Sequence, residues 1–372
     1  MTLRSIILAA RRGALHSLPA LLLAAIPASA PLVAADGSTA LDVKKPAVEN
    51  FVARLTDKHG FEATAVTAVL RQAQIKQSIL DAMARPAERT LLWHEYRDRF
   101  MTERRIREGV QFWQQHRELL DEVSTERGVA PEYLVAILGV ETYYGRITGK
   151  DRVLDALATL AFEYPPRSDF FTGQLEQFFL LTREESLDPL VALGSYAGAM
   201  GPPQFIPASV RMYAVDGDGD GRRDLWSNWD DILSSIANYF VVHGWKRDEP
   251  VLAEATIDQP RARDLDTRRI ALNETVGSLK DKGVVFDTEL PPDAPAMLLA
   301  ADLPEHVVFR VGYNNFYVIT RYNRSPMYSM AVHDLATALV KHALSEPAPE
   351  SGEPVPAPAT TAPAPPATDA PR

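Results

Sequence analysis

Between residues 47 and 243 apolar side chains recur at three- and four-residue spacing, which predicts a succession of helices. Ala47 to Lys58 and Ala63 to Ala73 read as two short ones parted by Gly60. Arg89–Arg127 is charged and periodic, with Leu92, Tyr96, Phe100, Ile106, Val110, Phe112, Trp113 and Leu119 among its apolar or aromatic positions. It reads as two helices, the second closed by Gly128. From Leu134 to Val140 the apolar run is almost unbroken, so this helix is expected to be surrounded by protein. Pro131 suits its first position, Glu132 its first turn, and Gly145 its stop. Asp155–Phe162 predicts another helix, ended by Tyr164-Pro165-Pro166. Phe170–Glu184 and Asp231–His243 predict two more, the latter stopped by Gly244.

After Trp245 the texture changes. Val251–Thr256, Ala296–Ala300, Val307–Val311 and Phe316–Arg321 have strand character and are separated by turn residues. Asn273–Lys282 reads as a small helix, and Pro326–Leu344 as a final one with Tyr328, Ala331, Val332, Leu335 and Leu339 on its apolar face. There is no internal repeat. The expected class is α+β, mainly α, with a small β-rich part at about 250–321.

Both ends depart from this texture. Arg4, Arg11 and Arg12 lead into an apolar stretch, Leu18–Ile26, that is broken by Pro19 and short for a membrane span. Val33-Ala34-Ala35 before Asp36 fits a cleavage site, with Ala28-Ser29-Ala30 a second option weakened by Pro31. Residues 1–35 are therefore expected to be a secretory signal, an uncleaved anchor being the alternative. Residues 346–372 are mostly Pro, Ala, Thr and Glu and are expected to be a disordered tail. That leaves 36–345 as the folded region. With 372 residues and 46% hydrophobic content the chain can bury a large core. Its formal charge of -10 argues against a nucleic-acid partner. Cysteine is absent, which excludes disulfides, thiolate metal sites, a Cys nucleophile and a lipid anchor after the leader.

Four stretches carry candidate chemistry. Glu141 is the carboxylate at the end of the apolar helix; in such surroundings its pKa is expected to rise, which suits a general acid. The competing reading is a helix-end Glu paired with an Arg such as Arg146. Asp216-Gly-Asp218-Gly-Asp220-Gly221 resembles the first half of an EF-hand loop, with carboxylates at alternate positions and Arg222 placed to offer its carbonyl. Position twelve is Ser227 rather than Glu, so Asp230 or Asp231 would have to close a longer loop, 216–231; the alternative is a solvated acidic turn. Gly194–Ser209 is rich in Gly, Pro and small residues, and Ser195 and Gln204 offer polar groups suited to sugar hydroxyls and amides. A packed corner would look similar, and no G-x-S-x-G elbow is present. Phe316–Tyr328 puts Tyr and Asn side by side, as a carbohydrate cleft would, or as a hairpin edge beside a capped helix would.

These stretches together resemble one family. GVETYYGR (Gly139–Arg146), DALATLAFEYP (Asp155–Pro165), GSYAGAMGPPQFIPAS (Gly194–Ser209), YAVDGDGDGRRDLW (Tyr213–Trp226), IANYFVVHGW (Ile236–Trp245) and NFYVITRYNRSPMY (Asn315–Tyr328) are similar to motifs of the lytic murein transglycosylase B family. The resemblance spans roughly Trp93 to Leu344. It implies a goose-lysozyme-like core with extra helices and a small β-domain. It implies cleavage of the MurNAc-β-1,4-GlcNAc bond of peptidoglycan with formation of 1,6-anhydro-MurNAc. Glu141 would be the single acid/base. Tyr96, Ser195, Gln204, Tyr239, Tyr322, Asn323 and Tyr328 would line the cleft, and Asp216, Asp218 and Asp220 would hold structural calcium. No organic cofactor is implied. The implied setting is the periplasm, with glycan strands as partner and cell-wall synthesis or division proteins as further candidates. Relatives carry Arg-Arg after Tyr-Pro, whereas this chain has Pro166-Arg167, leaving Arg167 as the basic contact to an acidic stem peptide.

The residues themselves agree with a one-carboxylate reaction. Ordinary glycosidases use two carboxyl groups. Here Glu141 stands alone; Asp155 is the nearest alternative, and nothing in its helix turns it towards Glu141. A substrate supplying its own nucleophile removes the need for the second. The competing functions are a hydrolytic muramidase and a non-catalytic, calcium-stabilised peptidoglycan-binding protein.

Overall fold

The computed structural model describes residues 37–84, 91–257, 265–267 and 269–345. The expected leader and the Pro/Ala-rich tail lie outside the described residues. Helices dominate, and the apolar run read from the sequence becomes the innermost of them. This helix, α7 (Pro131–Thr142), has no accessible surface from Leu134 to Leu138. Burying one such side chain stabilises the fold by about 1.5–3 kcal/mol.

Five short helices precede it with a sixth: α1 (Pro46–His59), α2 (Ala63–Leu70), α3 (Gln77–Met83), α4 (Trp93–Asp98), α5 (Glu103–Gln115) and α6 (Arg117–Arg127). The segment expected as two helices is therefore three. Thr102 starts α5, its Oγ1 accepting from the Arg105 N–H, and the backbone of His116 breaks the run before α6. The second short helix stops at Leu70 rather than Ala73, because Ala73 and its neighbours turn into a strand. That strand, β2 (Gln74–Lys76), pairs antiparallel with β1 (Ser38–Ala40).

After α7 the chain forms β3 (Asp151–Arg152), α8 (Val153–Glu163), a 3-10 turn at Pro165–Arg167 and α9 (Ser168–Glu184). Next come β4 (Leu193–Gly194), which pairs with β3, then α10 (Pro207–Tyr213) and α11 (Trp229–Val242). The β-rich part is a four-stranded antiparallel sheet in the order β5-β8-β7-β6: β5 (Leu252–Ala255), β6 (Glu274–Thr275), β7 (Pro295–Asp302) and β8 (Val307–Gly312). It has its own core of Val276, Leu279, Val284, Phe286, Leu298, Phe309, Val311 and Tyr313, with α12 (Val276–Asp281) laid against it.

One expectation is overturned. Phe316–Arg321 is not a strand but the body of α13 (Asn314–Tyr322). Val318, Ile319 and Thr320 are consecutive β-branched residues, which favour strands locally. Here all three are buried, and Asn315 anchors the first turn: its Nδ2 donates to the Lys246 and Glu249 carbonyls and its Oδ1 accepts from the Lys246 N–H. Tertiary burial decides the outcome. The last helix, α14 (Pro326–Ser345), packs along α4, α5 and α7 and so brings its N-terminal end to the C-terminal end of α7. Among the described residues no helix is long and apolar enough to cross a membrane.

Candidate active site

The C-terminal end of α7 is built differently from an ordinary helix stop. Glu141 is its penultimate residue and half-buried. Tyr143 and Tyr144 follow with φ of 53° and 61°, and Gly145 with 82°. Two non-glycine residues in the left-handed region cost on the order of 1–2 kcal/mol each, so the neighbours must impose the turn. They do so from several sides. The Tyr144 N–H donates to the Leu138 carbonyl at 2.9 Å, and its hydroxyl to the Arg105 carbonyl at 2.9 Å. Thr142 Oγ1 donates to the Pro202 carbonyl at 2.9 Å and accepts from the Gly145 N–H at 3.1 Å.

Glu141 thus faces the start of α14. The Tyr328 hydroxyl donates to Glu141 Oε1 at 2.7 Å. Tyr328 is buried, and its hydroxyl is pushed well above the ordinary phenol range by desolvation first, then by the charges of Glu141, Tyr322 and Tyr96. Tyr322, at the end of α13, behaves likewise; although part of its ring is accessible, its hydroxyl is enclosed and donates to the Pro203 carbonyl at 2.6 Å. Tyr239 on α11 donates to the Arg321 carbonyl at 2.6 Å, and burial pushes it up to about 12. The rings of Tyr239 and Tyr322 lie 4.9 Å apart, and Phe205 touches both at 5.6 and 5.7 Å. Tyr322 and Tyr328 thus bear directly on Glu141, with Tyr239 packed against Tyr322 and Tyr96 influencing Tyr328, the four tyrosines coming from four helices. Asn323 caps α13 between Tyr322 and Tyr328, its carbonyl accepting from the Ser325 N–H.

The 194–205 loop is fastened beside the end of α7. Ser195 Oγ accepts from the N–H groups of Ala197 and Ala199, and Gln204 adopts a φ of 53° while its Nε2 donates to the carbonyls of Thr148 and Gly201. Gly201 is required here: it has a φ of 62°, and a methyl group on it would lie 1.8 Å from the Leu225 carbonyl oxygen. Thr142 bonded to Pro202, and Tyr322 bonded to Pro203, fasten this loop to both sides of Glu141.

Two candidates are placed elsewhere. Arg167 stacks on Phe170 at 4.3 Å and Phe171 at 5.2 Å, and those rings, not the tyrosines around Glu141, are its neighbours. Asp155 is buried and fully engaged: Arg152 reaches both its oxygens at 2.8 and 2.9 Å, and the Gln74 N–H donates to it at 2.8 Å. It is a structural carboxylate. Thr142, Phe205 and the left-handed pair Tyr143–Tyr144 were not singled out from the sequence, although all sit inside the motifs quoted above.

The acidic loop converges, with one carboxylate from far along the chain. Asp216, Asp218 and Asp231 each present an oxygen within 4.8 Å of the others. Asp231 is completely buried, its Oδ1 accepting from the Gly217 N–H and its Oδ2 from the Asp224 N–H, both at 2.6 Å. Burial, partly offset by these N–H groups and reinforced by Asp218 and Asp216, pushes its carboxyl up to about 6. The carboxylates of Asp220 and Asp230 do not join the three. Asp220 Oδ1 accepts from the Arg222 N–H, and Asp230 turns its backbone carbonyl, not its carboxylate, towards the loop at Gly217. Three hard oxygen donors this close suit a divalent cation such as calcium.

The family model for the transglycosylase SLT domain matches residues 44–337. Membrane-bound lytic murein transglycosylase B of Escherichia coli (strain K12) is 39% identical over 303 residues, 79% of this chain and 82% of that protein. Among solved structures, catenated lytic transglycosylase SltB1 from Pseudomonas aeruginosa matches with a TM-score of 0.77 at 46% identity, covering 80% of this chain and 98% of its own. The Escherichia coli lytic transglycosylase Slt35 in complex with calcium matches with a TM-score of 0.74 at 38% identity, covering 81% and 95%.

Proposed function

This chain belongs to the SLT-domain transglycosylases and is a lytic murein transglycosylase acting on peptidoglycan, and from that premise we propose that Glu141 performs both proton transfers of the reaction. The observation that carries the proposal is the 2.7 Å hydrogen bond from Tyr328 to Glu141 Oε1 within a ring of buried tyrosines. Among the described residues, Glu141 is the carboxylate whose charge bears on both Tyr322 and Tyr328, while Asp155 is committed to Arg152.

In the first step the protonated Glu141 gives its proton to the bridging oxygen between MurNAc and GlcNAc. The C1–O bond breaks, the electron pair leaves with the GlcNAc hydroxyl, and the 2-acetamido oxygen of MurNAc stabilises the cationic C1. In the second step the ionised Glu141 takes the proton of the MurNAc C6 hydroxyl as O6 bonds to C1. The product is 1,6-anhydro-MurNAc and Glu141 is protonated again; no water is consumed. One group serving as acid and then base needs both states accessible in the same site. A hydrogen bond from Tyr328 supports the ionised state that the second step uses. Ser195, Gln204, Tyr96, Tyr239, Tyr322 and Asn323 are proposed as the cleft lining that holds the sugar rings, with the 194–205 loop closing over one side. Arg167 is proposed to meet acidic parts of the substrate from outside this ring of tyrosines.

Asp216, Asp218 and Asp231 are proposed to hold a structural calcium ion, supported by the three convergent oxygens and by the calcium-bound relative. Its contribution would be to neutralise a buried carboxylate and fasten the loop to α11. Export through residues 1–35 completes the proposal; mass analysis of the mature N-terminus tests it directly, with Asp36 as the expected first residue. The reaction is tested by digesting sacculi and weighing the products. Anhydro-muropeptides, one water lighter than hydrolytic products, are expected, and their loss in Glu141→Gln. Reducing-end products would establish a hydrolytic muramidase instead.

A further inference from the structure

The turn after Glu141 is strained, and one side chain outside the cleft collects the groups that hold it. Glu108 lies on α5 with its side chain 12% exposed. Arg104 Nε donates to its Oε1 at 2.8 Å and Arg146 Nη1 donates to its Oε2, while the Tyr143 phenol, raised first by burial, is raised further by the neighbouring Glu108 carboxylate. Tyr143 is the first residue of the left-handed run and Arg146 the one that follows it, so both ends of the turn meet one carboxylate. The Tyr143 ring is in turn covered by two guanidinium groups, Arg105 at 4.7 Å and Arg146 at 5.6 Å. Next to Glu108, Gly109 allows the closest approach of α5 to the turn: a methyl group there would meet the Tyr144 hydroxyl at 2.3 Å. Burial alone would raise the Glu108 carboxyl, but Arg104, Tyr143 and Arg146 bring it below the ordinary carboxylate range, so it is ionised where the enzyme works.

We propose that Glu108 is a positioning residue for Glu141: by gripping Tyr143 and Arg146 it locks the left-handed turn that fixes the end of α7, and with it the direction in which the Glu141 carboxyl points. A helix end released from that turn can fray by a residue, and Glu141 lies within its last two. Glu108 itself touches neither substrate nor reacting atoms. The inference rests on Glu141 being the acid/base.

The test compares Glu108→Gln and Tyr143→Phe with the parent enzyme, measuring kcat and KM for soluble glycan fragments together with Tm. Each variant should lower kcat about 10- to 100-fold with KM within about twofold, since misorientation of a catalytic group costs rate rather than binding. Glu108→Gln keeps shape and removes the charge that Arg146 and Tyr143 seek. Tyr143→Phe cuts only one link and keeps the ring between the two arginines, so it remains informative if Glu108→Gln folds poorly. Because both act on the same link, the double variant should lose little beyond the worse single one. Unchanged kcat in both variants would overturn the proposal, as would a lower Tm with the activity per folded molecule intact. Glu141→Gln assayed in parallel separates the two levels. If Glu141→Gln is active, the reading of the acid/base fails; if it is inactive while Glu108→Gln and Tyr143→Phe match the parent, only the positioning role fails.

Discussion

Replacing Tyr328 with Phe removes one oxygen atom and leaves the rest of the site in place. That oxygen donates to Glu141 Oε1 at 2.7 Å from a ring that is 2% exposed. A hydrogen bond to a charged group is worth about 1.5–3 kcal/mol. If it is made in full only when Glu141 is ionised, its loss falls on the second step, where the carboxylate must accept the C6 hydroxyl proton. At 1.36 kcal/mol per tenfold, the expected loss in kcat is about 10- to 150-fold. The fold should lose much less, about 1 kcal/mol, because the ring still fills its place and half-buried Glu141 can turn to water. There is also a signature in pH. The phenol favours the charged carboxylate, so without it Glu141 keeps its proton to higher pH and the alkaline limb of the kcat profile moves upward. Initial rates of anhydro-muropeptide release across the pH range measure both effects. A Tyr328→Phe enzyme with parental kcat and an unmoved alkaline limb would refute the idea that this bond serves the proton transfers.

Other parts of the structure make their own predictions. Asp334 on α14 is buried and bonded to Arg97 at 2.7 Å and Arg310 at 2.9 Å, so Asp334→Ala should cost about 3 kcal/mol in urea unfolding, the low end for breaking a buried pair because Arg310 keeps Glu254 as a partner. Gly201→Ala places a methyl group 1.8 Å from a backbone oxygen at a φ of 62°, and should destabilise by at least about 3 kcal/mol or abolish folding, as read by circular dichroism. Calcium at about a hundred times its Kd should raise stability by about 2.7 kcal/mol in thermal melts; Asp218→Asn should remove most of that gain, and a chelator that leaves the parent's Tm unmoved would mark the loop as an acidic turn. His333 Nδ1 and the Tyr133 hydroxyl share a hydrogen bond at 2.9 Å, and burial lowers the His333 pKa to about 4. Its folded value lies below its unfolded one, so its contribution is present above about pH 6.5 and is lost as pH falls from there towards 4, by at most about 3 kcal/mol. His333→Gln should flatten that part of the stability curve.

The sequence revealed most of what local chemistry determines. The apolar run predicted the buried helix and Gly128 its predecessor's stop; in both cases neighbouring residues suffice to make the feature. It failed where a distant partner decides. Val318, Ile319 and Thr320 read as strand because the contacts that make them helix, through Asn315 to Lys246 and Glu249, lie some seventy residues back. Asp231 was one of two candidates to close the acidic loop, and the choice rests on burial and on the Gly217 and Asp224 N–H groups, which periodicity does not report.

Glu141 shows the same division at the level of function. Its helix is written locally, but its chemistry is supplied by α14, which arrives almost two hundred residues later. From different sides of that helix Tyr328 bonds to Glu141, His333 to Tyr133 near the start of α7, and Asp334 to Arg97, whose helix carries Tyr96. Two of these bonds grip α7 near its opposite ends, and the third holds the helix that carries Tyr96. Asp334 also holds Arg310 of β8, so the sheet is tied to the same helix. A helix fixed at three polar points cannot slide by a residue without breaking all of them, because each partner sits on a different element. This explains why Tyr328 can be placed within hydrogen-bonding distance of Glu141 from so far along the chain. It also separates the roles on α14: losing the Asp334 contacts should reduce stability and activity together, whereas losing the Tyr328 hydroxyl should reduce activity almost alone.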